Sequence, residues 1–250
     1  PILGEAAGHS IVAIGHGLTA DSRYTFSPGG SFPSNQLGCT SCHDPHGNGY
    51  FRMLNGVGDV QNGVATFTRP APLAFGINVS TGVESQTSHS AYRSGMSSWC
   101  GNCHGGVNLH DEGGLGSFEH PGDHALGSEE SRNYNDYQGS DQPAGPGTDA
   151  YIVHVPVEDA LETSTAFRGP VRSGSRLTCL SCHRAHASSA PYAGRWDFNI
   201  QTWADEGVAS GSYPIPNPYA ATSGASQREL CEKCHGPEAP ESGLGGTGIR

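Results

Sequence analysis

Eight cysteines occur in this 250-residue chain, and all eight fall in one repeated pattern. They are Cys39-Thr-Ser-Cys42-His43, Cys100-Gly-Asn-Cys103-His104, Cys179-Leu-Ser-Cys182-His183 and Cys231-Glu-Lys-Cys234-His235. C-x-x-C-H is the attachment signature of c-type haem. Two cysteines three apart lie on nearly one face of a helical turn, so both sulfurs reach the two vinyl groups of one porphyrin. The histidine that follows then points at the iron as its proximal ligand. Zinc sites also use Cys-x-x-Cys pairs, but they do not need a histidine after every second cysteine. A disulfide framework would not require this repeat either. The cysteines therefore predict four covalently bound c-type haems, with His43, His104, His183 and His235 as proximal ligands.

That load bounds the fold. Apolar residues make up 34% of the chain, while 37 glycines and 17 prolines make up about a fifth of it, close to low complexity. Long stripes of helical period are scarce, and no run of 18 apolar residues could span a membrane. Four haems leave about 62 residues each (250/4), so each porphyrin can serve as core for the loops around it. The expected class is a mostly irregular, loop-rich multihaem cytochrome with few short helices, minimal strand and a haem-packed core. The net charge of −11, with Lys233 the single lysine, argues against nucleic acid, which needs clustered basic residues. Solubility is the simpler reading of that charge. The sequence opens at Pro1 without a basic and apolar leader, as expected of a mature chain whose export signal has been removed. Export fits thioether attachment, which takes place outside the cytoplasm.

The four motifs are of two alternating kinds. The first and third read C-x-S-C-H-x-x-H (CTSCHDPH and CLSCHRAH), and the second and fourth read C-x-x-C-H-G. This order suggests two dihaem halves, 1–125 and 150–250, joined by a Gly/Ser/Asp-rich linker over 127–148. SQRELCEKCHG (226–236) reads as a short helix with Ser226 and Glu229 spaced as a capping box, and SSWCGNCHG as another helical turn. Residues 149–159 alternate enough for a short strand. The final ESGLGGTGIR has no packing signal. Asn78-Val-Ser80 is a glycosylation sequon of a kind common by chance.

Nine of the thirteen histidines remain after the proximal four: His9, His16, His46, His89, His110, His120, His124, His154 and His186. Only two methionines, Met53 and Met96, are available, so bis-histidine ligation is expected throughout, with the low potentials that go with it. His46 follows proximal His43 by three residues and sits on the same side of the same porphyrin. It cannot reach the far face of its own haem, so as a ligand it must serve a neighbouring one. His186, three after His183, repeats the argument. His120, restrained by Pro121, and His9 complete the best four distal candidates, His9, His46, His120 and His186. His16, His89, His110 and His154 are reserves, and His124 is read as structural.

The contexts SPGG…LGCTSCHDPHG, WCGNCH…FEHPGD and TCLSCHRAHASSAPYAGRWD resemble exported multihaem cytochromes, most closely the extracellular tetrahaem cytochrome nanowires of the OmcE type. The resemblance implies a continuous haem chain of alternating parallel and T-shaped pairs, and a homopolymeric filament. It also implies one distal histidine supplied by the neighbouring subunit, with His46 or an N-terminal histidine as donor. The implied function is electron transfer to an extracellular acceptor, with a redox protein as donor. A soluble periplasmic tetrahaem shuttle is the alternative. A haem reductase would need an iron with an open position, and four intact C-x-x-C-H motifs with spare histidines argue against it. The denatured protein is expected to retain four haems per chain by intact mass and pyridine haemochrome. Fewer would remove at least one motif from this reading.

Overall fold

The computed structural model describes residues 8–61, 65–77, 84–85, 87–105, 122–136, 150–151, 153, 155–188, 190–195 and Cys234. Regular structure is sparse, because Gly and Pro interrupt nearly every apolar run. Beside short 3-10 turns, three α-helices have their bounds among these residues: α1 (Met96–Cys100), α2 (Gly127–Asp136) and α3 (Cys179–Cys182). Six strands of two to four residues pair as three antiparallel ribbons. These are β1 (Val60–Gln61) with β2 (Ala65–Thr66), β3 (Leu73–Phe75) with β4 (Ala91–Ser94), and β5 (Val157–Glu158) with β6 (Arg176–Leu177). The loop-rich class read from the sequence is the one observed. No described helix is long and apolar enough to cross a membrane.

Among the described residues the polypeptide core is small and includes cysteines of two C-x-x-C-H motifs. Leu126, Tyr134, Tyr151, Val155, Val157, Val171 and Cys234 form its buried cluster, with Phe167, Leu177 and Cys182 against it. Helix α2 occupies the first half of the stretch expected to be a linker. Gly127 takes the left-handed conformation (φ +77°), and Glu129 and Glu130 place negative charge on the positive end of the helix dipole. Tyr134 is fully buried, and its hydroxyl donates to the Val155 carbonyl at 2.8 Å. Asn135 imitates a strand neighbour, giving Nδ2–H to Val171 O and accepting from Val171 N at 2.8 and 2.7 Å. Asn133 donates to Cys234 O at 3.0 Å, which ties α2 to the fourth motif. The strand read over 149–159 shortens to Val157–Glu158, since Pro156 has no N–H to give a ladder. Of the helix read over 226–236, only Cys234 lies within the described residues, and it is helical. The sequon at Asn78 and the C-terminal stretch lie outside them.

A buried carboxylate joins β5 to the second motif. Glu158 is 1% exposed and accepts from the backbone N–H groups of Met96 and Gly95 at 2.6 and 3.2 Å, at the start of α1. Helix α1 in turn touches α3, with the Ser97 hydroxyl accepting from Cys179 N at 3.0 Å. Burial pushes the Glu158 carboxyl up to about 7, with Asp123 adding to the rise and the two N–H bonds opposing it. Between its ordinary value and 7 the folded chain binds more protons here than the unfolded chain. Stability is therefore lost as pH rises through that window, and is greatest on its acid side. Thermal unfolding of the holoprotein across pH 4.5–7.5 should show this fall, and Glu158→Gln should flatten it. An unchanged pH profile in that variant would mean that other groups set the slope.

Candidate haem-binding site

Each described motif closes one turn, with the histidine N–H bonded to the carbonyl of the first cysteine. The distances are 3.1 Å for His43 to Cys39, 3.0 Å for His104 to Cys100 and 2.9 Å for His183 to Cys179. That turn brings both thiols of a pair to one side, as a two-point porphyrin attachment requires. Short polar residues cap it. Ser41 Oγ accepts from Gly38 N at 3.0 Å, and Ser181 Oγ accepts from Thr178 N at 3.0 Å.

The three histidines are oriented by backbone oxygen. Nδ1 of His43, His104 and His183 meets the carbonyls of Arg52, Pro28 and Tyr192, each at 2.9 Å. A carbonyl only accepts, so Nδ1 carries the proton and, in the neutral ring, Nε2 carries the lone pair. Burial pulls the His104 and His183 imidazoles below their ordinary range. The neutral ring is the ligating form.

The first and third motifs extend into a repeat that residue types barely show. Nine residues after each histidine the chain returns through two consecutive non-glycine residues of positive φ: Arg52 (+50°) and Met53 (+55°), Tyr192 (+58°) and Ala193 (+54°). Such residues are uncommon, and a matched pair marks a shared constraint. After the return, Asn55 N bonds Cys42 O at 2.9 Å and Arg195 N bonds Cys182 O at 2.7 Å. The same two side chains then reach the turn itself, Asn55 Nδ2 to Thr40 O at 3.2 Å and Arg195 Nε to Leu180 O at 2.5 Å. Every element of one module thus has its counterpart in the other at one constant offset. The sequence signal was the shared x-Ser-Cys-His-x-x-His. The returns work through carbonyls, which any residue supplies.

Histidines far apart in sequence face one another in pairs. The rings of His43 and His186 lie 6.0 Å apart, as do those of His9 and His104. An imidazole nitrogen binds a first-row metal at about 2 Å, so two rings on opposite sides of one iron have centres roughly 6 Å apart. Both pairs fit one haem iron each. The pairs are joined at the back, where His9 N bonds His186 O at 2.9 Å and His9 Nδ1 donates to Ala185 O at 2.5 Å. Gly8 bridges Ala187 there, and a Cβ on Gly8 would stand 2.4 Å from the His186 oxygen, so only glycine fits. Burial, then the nearby His43 and His9, pull the His186 imidazole down as well.

The remaining candidates separate clearly. The His46 side chain is 94% exposed, and its Nδ1 lies 3.5 Å from Asp44. His16 is exposed in a tight turn beside Ile14, itself 70% exposed. His89 is 1% exposed, stacked on Tyr151 at 4.6 Å, with its two nitrogens on Phe167 O and Ser90 O at 2.8 and 3.1 Å, and so serves the packing. His124 lies beside β6, accepting from Leu177 N through its carbonyl. His110, His120, His154, Cys231 and His235 lie outside the described residues. The SPGG stretch, read as context of the first motif, instead packs on the second through Ser27 and Pro28.

Thiols of three motifs converge. Burial, with Cys103 and Cys39 close by, holds the Cys42 thiol up at about 12, and burial holds Cys182 at about 11. A hydrogen bond links Cys100 to Cys179, raising the first thiol and lowering the second to about 7. Among the described residues, no three His, Cys, Asp or Glu side chains converge as a metal site of their own.

Comparison with known proteins agrees. No family model matches the chain. The C-type cytochrome OmcS of Geobacter sulfurreducens (strain ATCC 51573 / DSM 12127 / PCA) is 29% identical over 302 aligned positions, which cover 93% of this chain and 69% of OmcS. The outer membrane cytochrome S filament from Geobacter sulfurreducens superposes with a TM-score of 0.72 at 27% identity, covering 94% of this chain and 74% of its own. The OmcS nanowire from the same organism, seen by cryo-EM, gives a TM-score of 0.75 at 26% identity, with the same coverage. By motif, by sequence and by fold, this chain is similar to the multihaem c-type cytochrome OmcS and to its nanowire filament.

Proposed function

We propose that the chain is an exported tetrahaem c-type cytochrome that carries electrons along closely packed haems, as the subunit of an extracellular homopolymeric filament. The observation that carries this reading is the pair of facing histidines at 6.0 Å, His43 with His186 and His9 with His104. Haem held there supplies one-electron chemistry, its iron cycling between ferric and ferrous. The chain's own residues hold, orient and insulate it. Cys39 and Cys42, Cys100 and Cys103, Cys179 and Cys182, and Cys231 and Cys234 are the covalent anchors. His43, His104, His183 and His235 are the proximal ligands, and His186, His9 and His120 are distal ones.

His46 is our candidate for the ligand that crosses between subunits. It holds in the first module the place that His186 holds in the third. His186 faces a histidine of the other module, whereas His46 projects into solvent at 94% exposure. Carried on beyond one chain, the same repeat hands His46 to an iron of a second copy. His9, the N-terminal alternative, already faces His104 within the chain.

Electron microscopy of the native protein tests the reading. Filaments are expected for the wild type, with His46→Ala giving discrete particles that still hold every haem. Wild-type particles that stay discrete at high concentration would leave a soluble shuttle. In the same preparations His186→Ala should turn one haem high-spin and open to carbon monoxide, while His89→Gln should not. A fully low-spin His186→Ala protein would remove that residue from the ligand set.

A further inference from the structure

The second motif differs from the first and third in where its histidine finds an acceptor. His43 and His183 use their own return, nine residues on. His104 uses a turn 76 residues upstream, Ser27-Pro28-Gly29-Gly30. Gly30 N bonds Ser27 O at 2.9 Å, with proline at the second position and Gly29 at φ +67° in the third, which defines a type II β-turn. In that turn type the central peptide is flipped relative to type I. Its carbonyl, that of Pro28, is the one that meets His104 Nδ1 at 2.9 Å.

Two further contacts lock the turn onto the motif. The Ser27 hydroxyl donates to Cys103 O at 2.5 Å. Gly30 packs so closely that a Cβ there would stand 1.8 Å from the same oxygen. Pro28 presents the acceptor, while Ser27 and Gly30 set its distance. The contacts fall on consecutive residues of one motif, Cys103 and His104.

We infer that the Ser27–Gly30 turn is a positioning device for His104, fixing its tautomer and ring direction and thereby the potential of the haem it holds. The inference rests on His104 being an iron ligand. A carbonyl on Nδ1–H makes the imidazole a stronger donor, which favours ferric iron and lowers the potential. Loosening the turn therefore raises the potential of one haem and leaves the others in place.

The test uses the full-length holoprotein and a spectroelectrochemical titration resolved into its components. Gly30→Ala and Ser27→Ala should each move one component to more positive potential, Gly30→Ala further, with haem content unchanged. Ser27→Thr, which keeps the hydroxyl, should restore it, and Gly174→Ala, whose Cβ meets nothing within 4 Å, should move nothing. Coincident titrations of Gly30→Ala and wild type would overturn the inference. Where Gly30→Ala does not accumulate, the contrast between Ser27→Ala and Ser27→Thr decides, and equal potentials in those two overturn it. Failure of the underlying reading looks different, because His104→Ala would then leave every haem low-spin.

Discussion

Two pairs of imidazoles stand with their ring centres 6.0 Å apart, the spacing that an iron held between two histidines would ask for, and the chain is folded around these pairs. His9 and His186 lie far apart in the sequence, yet they lie on adjoining backbone, and each faces the histidine of a C-x-x-C-H motif. Among the described residues the buried apolar cluster has seven members, a small core to hold such distant segments together. Backbone oxygen does much of the holding instead. Arg52, Pro28, Tyr192 and Ala185 each give a carbonyl to a ring Nδ1, so a loop-rich chain achieves the ring directions that a helical bundle would fix by packing.

The two C-x-S-C-H modules show how specific this holding is. Consecutive left-handed residues cost of order 1–3 kcal/mol each where they are not glycine. The chain nevertheless spends them twice, at Arg52–Met53 and Tyr192–Ala193. In each case a backbone N–H and a side-chain N–H of one later residue, Asn55 or Arg195, tie the return to the cysteine turn. Asn and Arg share little beyond an N–H at reach, and each uses one to hold the cysteine turn.

What the sequence disclosed follows from which chemistry is side-chain chemistry. Cysteine and histidine spacing pointed to the cofactor class, and singling out His186 needed only the three-residue step from His183. The carbonyls on Nδ1 were invisible, because a carbonyl has no residue type. SPGG stood out by composition, but composition does not say which motif a turn will touch. Helix α2 was hidden in a Ser/Gly-rich stretch because its buried face rests on Tyr134 and Ser131 alone, too little to show a period. The strand read over 149–159 lost length to Pro156, whose missing N–H outweighs the alternation around it.

The open position of His46 has a directional consequence. A repeat that passed its last contact outward, as proposed for His46, would have two unlike ends, one offering an imidazole and the other receiving it. Any assembly built on that rule is polar. Its growth at the two tips need not be equal, and a redox partner that docks by covering a histidine would recognise one tip and ignore the other.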